Sequence, residues 1–245
     1  MIKSILISNG NQPFNQLISH YLLENGHHVT MLFNSDEAAL SYYELINQEW
    51  QYSYSGVVMD QLKKDYLQQV LDDITEKHGS LDVFIHGNEM VNEEQLLLQD
   101  AGQFDIYITE QFKRMYLLNK TVSSLMIKKK RGSIIFPIIY DALYYADYPS
   151  SPILNHGKIS MMKCLSRELT AFKLSVNVMT FGYYNGNFNN QEKKEVRKAL
   201  EIYGLKPQLY ELKHLVPAID ILINPPVPAI GGHDFHIGAG IETGL

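Results

Sequence analysis

The side chains in this chain that carry acid–base or nucleophilic chemistry fall into a few small groups. His86 and Glu89 lie in the segment HGNE, directly after a strand-like run. Either side chain could move a proton, but neither has an evident partner in the neighbouring sequence, so the segment reads as a solvated or locally hydrogen-bonded loop. Residues 140–151 gather Tyr140, Tyr144, Tyr145 and Tyr148 with Asp141 and Asp147. A phenol there could act as an acid, and the bland alternative is that the rings cover a crevice or an interface, since tyrosine packs well at half-wet contacts. Cys164 is the only cysteine, which excludes an intramolecular disulfide and any multi-cysteine metal site. The basic run 128–131 is short and reads as the end of a helix, where cations complement the macrodipole.

These groups must be positioned by a framework, and its period is legible. Short apolar runs rich in β-branched residues alternate with amphipathic stretches, the pattern of a parallel sheet covered by helices on both faces. Strands are expected at 2–7, 28–33, 54–59, 81–85, 132–137, 175–180 and 234–237. Helices are expected at 14–24, 36–48, 62–78, 104–130, 152–173 and 209–223. Gly26, Gly79 and Gly132 each fall between a helix and the next strand, where a left-handed cap residue is wanted. In open parallel sheets ligands bind beyond the carboxyl ends of the strands, so the irregular segments 140–151 and 181–191 would border a site.

Composition bounds the reading further. The chain has 245 residues, 45% hydrophobic and 20% charged, which suits one α/β domain spanning 1–245. A net charge of -6 without a basic patch argues against a nucleic-acid partner. No run of about 18 apolar residues suggests a membrane span. The chain enters a strand-like run at once, with no signal-peptide pattern, and a cytoplasmic location is expected.

The unit ILISNGNQPFNQLISHYLLENGHHVTMLFNSDEAAL at 5–40 resembles the short-chain dehydrogenase/reductase family. The resemblance continues in register through LDVFIHGNE at 81–89, KKKRGSII at 128–135, LSVNVMTFG at 174–182 and IGGHDFHIGAG at 230–240. It runs nearly the full length, with the β-ketoacyl carrier-protein reductases and related ketoreductases as the nearest subgroup. It implies a single doubly wound Rossmann-type sheet and an NAD(P)-dependent oxidoreductase ancestry. The family's glycine-rich turn, T-G-x-x-x-G-x-G, lets the backbone approach a pyrophosphate. Here Ser8, Asn9, Pro13 and Asn15 take its four defined positions, with Gly10 one place late. Asn tolerates positive φ, so the turn itself is expected to survive while close phosphate approach is lost. The family's N-N-A-G becomes His86, Gly87, Asn88 and Glu89.

The resemblance also implies a catalytic set of Asn, Ser, Tyr and Lys, in which Tyr protonates a carbonyl oxygen and Lys lowers its pKa and orients the ribose. Those positions hold Gln111, Ile139, Leu154 and Lys158, so only the lysine is kept. Leu154 has no proton to give and Ile139 cannot hydrogen-bond a carbonyl. Tyr148, among the loop tyrosines, is the candidate for a displaced acid. Tyr116 and Lys120 match the Y-x-x-x-K spacing by chance, inside a long helix. Asp60 stands where the family contacts the adenine side, although helix capping explains it equally. Asn34 replaces the arginine of many NADP-preferring members, and no acidic residue follows the second strand, so neither NAD nor NADP is selected. No cofactor is expected, with NAD(P)H the one to consider if any binds. Asn177 resembles the family's structural asparagine at a strand edge. Phe14, Tyr183 and Tyr184 are bulky groups placed to fill the crevice.

Loss of the acid alone costs orders of magnitude in rate, and here several losses coincide. The leading expectation is therefore a catalytically silent partner or scaffold subunit. Its assembly, with itself or an active sister reductase, would use helices 104–130 and 152–173 through Met115, Leu118, Met161, Met162 and Leu165. The alternatives are a reductase with a displaced acid, and a sensor of a small ligand in the old cofactor crevice.

Overall fold

The computed structural model describes residues 1–46, 48–139, 151–182, 184, 190–200, 208–225 and 230–238. Seven strands form one parallel sheet: β1 (Ser4–Ile7), β2 (His28–Phe33), β3 (Tyr54–Val58), β4 (Val83–Ile85), β5 (Gly132–Ile139), β6 (Leu174–Phe181) and β7 (Asp234–Ile237). Their order is β3-β2-β1-β4-β5-β6-β7, so the winding reverses at β1, whose neighbours are β2 and β4. That reversal opens a crevice beyond the carboxyl ends of β1 and β4.

Alternation along the strands divides the core. Ile5 and Ile7 face one side of the sheet and Leu6 the other, as the period of two requires. On the first face pack α1 (Pro13–Glu24), through Phe14, Ile18 and Leu22, and α2 (Asp36–Leu45), through Tyr42. The second face is covered by α3 (Lys64–His78), α5 (Ala101–Lys129) and α6 (Pro152–Leu169). Before α5 lies a short exposed helix, α4 (Glu93–Gln99). After β6 come α7 (Asn190–Leu200) and two single turns, α8 (Leu212–Leu215) and α9 (Asp220–Ile223). No helix among the described residues is long and apolar enough to cross a membrane.

Several expected boundaries shift for identifiable reasons. The stretch 209–223 is not one helix: Pro217 sits in a 3-10 segment, Val216–Ile219, between α8 and α9. The stretch 152–173 stops as an α-helix at Leu169, continues as a 3-10 turn, and ends on Lys173 at φ 62°. Helix α5 starts at Ala101 because the Asp100 carboxylate accepts from the N–H groups of Gly102 and Gln103. Gly26 and Gly79 do adopt left-handed conformations, at φ 76° and 78°. At the third junction it is Lys130, at φ 51°, that turns the chain, not Gly132. Gly132 instead begins β5 hard against Met126, whose sulfur lies 2.5 Å from where a Cβ would stand.

Candidate functional site

The crevice is built from the end of β1, the loop after β4 and the facing sides of α5 and α6. Ser8 leaves β1 fully buried, and its hydroxyl accepts from the Gly87 N–H at 3.0 Å. Asn9 follows at φ 56°, so the left-handed turn expected of an asparagine is present. Gly10 donates its N–H to the Leu32 carbonyl at 2.8 Å, which ties the turn to β2. Pro13 opens α1 at its first position, where a missing N–H removes no helical bond.

Asn15, one turn into α1 and 0% exposed, staples this turn to the loop after β4. Its Oδ1 accepts from the Asn88 N–H at 2.9 Å, and its Nδ2 donates to the carbonyls of Asn9 and Asn88, both at 2.8 Å. The fit leaves no slack. A Cβ on Gly87 would stand 2.2 Å from the Ser8 carbonyl oxygen and 2.6 Å from the Asn15 Nδ2, so only glycine passes between them. The site asparagine Asn88 reaches the other way, donating from Nδ2 to Asn155 at 3.2 Å, and Asn155 in turn donates to the Ile139 carbonyl at 2.8 Å.

Of the two forms that the sequence allowed for the loop after β4, solvated or locally hydrogen-bonded, the solvated one does not hold. His86 and Glu89 are 2% and 4% exposed, and Lys158 of α6 is 0% exposed. The Lys158 Nζ donates to Glu89 Oε2 at 2.5 Å and to the Gly87 carbonyl at 3.2 Å. Glu89 Oε1 accepts from Asn9 Nδ2 at 3.3 Å and faces His86 Nε2 at 3.7 Å. Glu89 and Lys158 lie 69 residues apart in the chain, which is why neither showed its partner in the sequence.

The charges in this cluster are coupled. Burial alone would raise the Glu89 carboxyl, but the Lys158 charge and the His86 contact outweigh it and hold the group at about 2. Glu89 is therefore ionised at neutral pH. Burial pulls the His86 imidazole down and keeps it neutral, with Nδ1 placed to accept from Asn119 Nδ2 at 3.5 Å. Burial also lowers the Lys158 ammonium, against the opposing pull of Glu89. A buried ion pair of this kind is maintained by its hydrogen bonds, and removing one partner strands the other.

The positions that the resemblance assigned to Ser and Tyr carry no proton. Ile139 and Leu154 are both 0% exposed, packed as core, and Leu154 N–H is taken by the Ser151 hydroxyl that caps α6. Gln111 lines a polar cavity of about 110 Å³ with Asn9, Asn34, Glu89, Tyr107 and Arg114, among others. Tyr107 and Arg114 were not singled out in the sequence; both sit on α5, at 111 − 4 and 111 + 3, where helical spacing from Gln111 could have drawn attention to them. Tyr107 is pushed up to about 12 by burial and by Glu89, so its hydroxyl stays protonated.

Other expected site residues lie elsewhere. Asp60 is exposed and neither caps α3, whose N-cap is Lys63, nor reaches the cavity: its carboxylate accepts from the next N–H, that of Gln61, at 2.6 Å. Asn34 is exposed at the cavity edge, its N–H donating to Asn11 Oδ1 at 2.9 Å. Phe14 does not fill the crevice; it packs edge-on against Phe181 in the core at a 5.3 Å centroid distance. Tyr184 packs partly buried against the same core. Asn177 joins β6 to the approach to β7, donating to the Ile230 carbonyl and accepting from the His233 N–H, each at 3.2 Å. Tyr140, Tyr144, Tyr145, Tyr148 and Tyr183 lie outside the described residues.

The short chain dehydrogenase family profile matches residues 3–197. The chain belongs to this family. It is similar along its length to the 3-oxoacyl-[acyl-carrier-protein] reductase FabG of Buchnera aphidicola subsp. Acyrthosiphon pisum, at 23% identity over 98% of this chain and 97% of that one. The corresponding reductase of Haemophilus influenzae is 21% identical, with 98% of each chain covered. Among solved structures, levodione reductase superposes with a TM-score of 0.73 at 14% identity, covering 97% of this chain and 96% of its own. ElxO with NADP bound gives 0.70 at 19% identity over 98% of each. These structural likenesses establish the Rossmann-type fold.

Proposed function

We propose that this short chain dehydrogenase family protein does not perform the family's hydride transfer on its own, and that it acts by associating with other subunits. The observation that carries this reading is the Lys158–Glu89 pair. Lys158, which the resemblance places at a catalytic position, is sealed at 0% exposure and spends its ammonium on an internal carboxylate and the Gly87 carbonyl. A lysine so engaged can neither depress a tyrosine pKa nor hold a ribose. The apolar burial of Leu154 and Ile139 supports the same conclusion.

The dinucleotide implied by the family fits these residues poorly. Asn15 and Asn9 spend their carboxamides joining β1 to the loop after β4, where the family keeps glycine for close phosphate approach. Among the described residues, the polar cavity beside Asn9 and Arg114 holds about 110 Å³, below the roughly 300 Å³ at which small-molecule sites begin.

Association is supported by the groove between α5 and α6, about 570 Å³, lined by Phe112, Tyr116, Met161 and Leu165 among others. Tyr116 is 57% exposed there. Of the residues expected in such a contact, Met161 and Leu165 line the groove, whereas Met115, Leu118 and Met162 belong to the core. Sedimentation of the wild type and of Met161→Glu tests this directly. The association reading expects an oligomer that the charge dissociates; a wild-type monomer at tens of micromolar, with no change on mixing with a sister reductase, contradicts it.

A second reading draws on the full-length similarity to 3-oxoacyl-[acyl-carrier-protein] reductases. In it the chain is an NAD(P)H-dependent ketoreductase whose displaced acid is Tyr148. NADPH oxidation with a 3-oxoacyl thioester, abolished by Tyr148→Phe, would establish this reading in place of the first.

A further inference from the structure

The crevice keeps a cation on its wall that the Lys158–Glu89 pair does not use. Arg114 of α5 lines the 110 Å³ cavity, and its Nε is buried without a hydrogen-bond partner among the described residues. None of the ion pairs among those residues involves Arg114. Glu89, on the same wall, attracts the guanidinium but is committed to Lys158 at 2.5 Å. The pair is internally neutral, so Arg114 leaves the wall with one net positive charge. A buried guanidinium donor without an acceptor is an unsatisfied group of the kind that native structures supply with a partner.

The rest of the lining suits the same kind of ligand. The Tyr107 hydroxyl, held in its protonated form, is a donor. Asn11 has its Oδ1 occupied by the Asn34 N–H, which leaves Nδ2, a donor, as its other end. Gln111 adds a further carboxamide, and Leu32 is the sole aliphatic residue of the lining. The volume, about 110 Å³, lies below the roughly 300 Å³ of ordinary small-molecule sites and suits one compact group better than a nucleotide.

We infer that this cavity binds one small oxyanion, a phosphate or carboxylate group on a molecule of a few heavy atoms, paired with the Arg114 guanidinium. The planar fork of arginine matches such oxyanions with two parallel N–H donors. This inference rests on the reading that the crevice does not hold a dinucleotide.

Calorimetric titration with inorganic phosphate, with glycolate and with neutral ethylene glycol, all at matched ionic strength, distinguishes the possibilities. Saturable binding of phosphate or of glycolate is expected, and the tighter of the two identifies the group. Ethylene glycol should give none. Arg114→Gln should weaken binding at least tenfold, while Lys113→Gln, on an exposed neighbour, should leave it within twofold; melting curves of both variants verify that they fold. If Arg114→Gln does not fold, protection of the wild-type melting temperature by the same anions and not by matched chloride serves instead. Absence of saturable binding by either anion, or binding that Arg114→Gln retains, overturns the inference. Micromolar binding of NADPH would instead overturn the reading beneath it, so the two failures are told apart by separate titrations.

Discussion

Lys158 donates to Glu89 across 2.5 Å in a pocket where neither side chain is more than 4% exposed, and the carboxylate it meets comes from the loop after β4, 69 residues earlier. The pair is a structural joint between α6 and the loop after β4, at the lysine to which the resemblance gives a catalytic role. Its neutrality depends on both members being present.

Glu89→Gln should therefore destabilise the fold by about 3–5 kcal/mol, because it leaves Lys158 buried without a counter-charge. Lys158→Met should be costly for the converse reason. The double variant Glu89→Gln, Lys158→Met should recover most of the loss. Urea denaturation of the four proteins as a double-mutant cycle measures this, and additive losses would mean that the pair is not coupled.

Acid should reveal the same pair. The Glu89 carboxyl is depressed from 4.5 to about 2 in the folded state. A depressed carboxyl contributes stability that is fully present above about pH 4.5 and is lost as the pH falls towards 2. The contribution is on the order of 3 kcal/mol at 1.36 kcal/mol per unit. The urea midpoint of the wild type should fall between pH 5 and pH 2.5 more steeply than that of Glu89→Gln. Parallel curves would show that another group governs the acid transition.

Asn15→Ala removes one donor–acceptor carboxamide and strands the Asn88 N–H and carbonyl inside the protein, while the Asn9 carbonyl keeps the Gln12 N–H. A loss of about 1–3 kcal/mol is expected, with NADPH affinity no better than wild type. Thermal unfolding alongside cofactor titration reads both effects. A variant as stable as the wild type would mean that the staple contributes nothing.

Leu154→Tyr introduces the phenol that the resemblance assigns to this position, but where there is no exposed surface. Overpacking should reduce stability by about 1–3 kcal/mol, and no reductase turnover should follow, since Lys158 remains held by Glu89. Stopped-assay measurement of NADPH oxidation with a 3-oxoacyl thioester decides this; turnover in the single variant would mean that Lys158 is free to assist an acid.

The strands and the left-handed glycines at 26 and 79 were legible in the sequence because each is dictated by local period or local backbone geometry. Helix α4 was missed although Asn92 caps it and Glu93 and Glu94 fill its first turn, since it buries no residue and so shows no apolar period. Within the site, the survival of the turn at Asn9 followed from residue type, whereas the burial of Glu89 did not. Its partner is distant in sequence, and a glutamate in a loop is ordinarily solvated. Arg114 escaped notice for a similar reason: an arginine on a long helix is read as surface until the facing loop is placed beside it.

The central claim, that the crevice is closed to the family's dinucleotide by the Lys158–Glu89 and Asn15 contacts, is tested most directly by calorimetric titration of the purified protein with NADPH and NADH. No saturable heat up to millimolar cofactor is expected. Saturable binding in the micromolar range would contradict it, and would move attention to the tyrosines at 140–148.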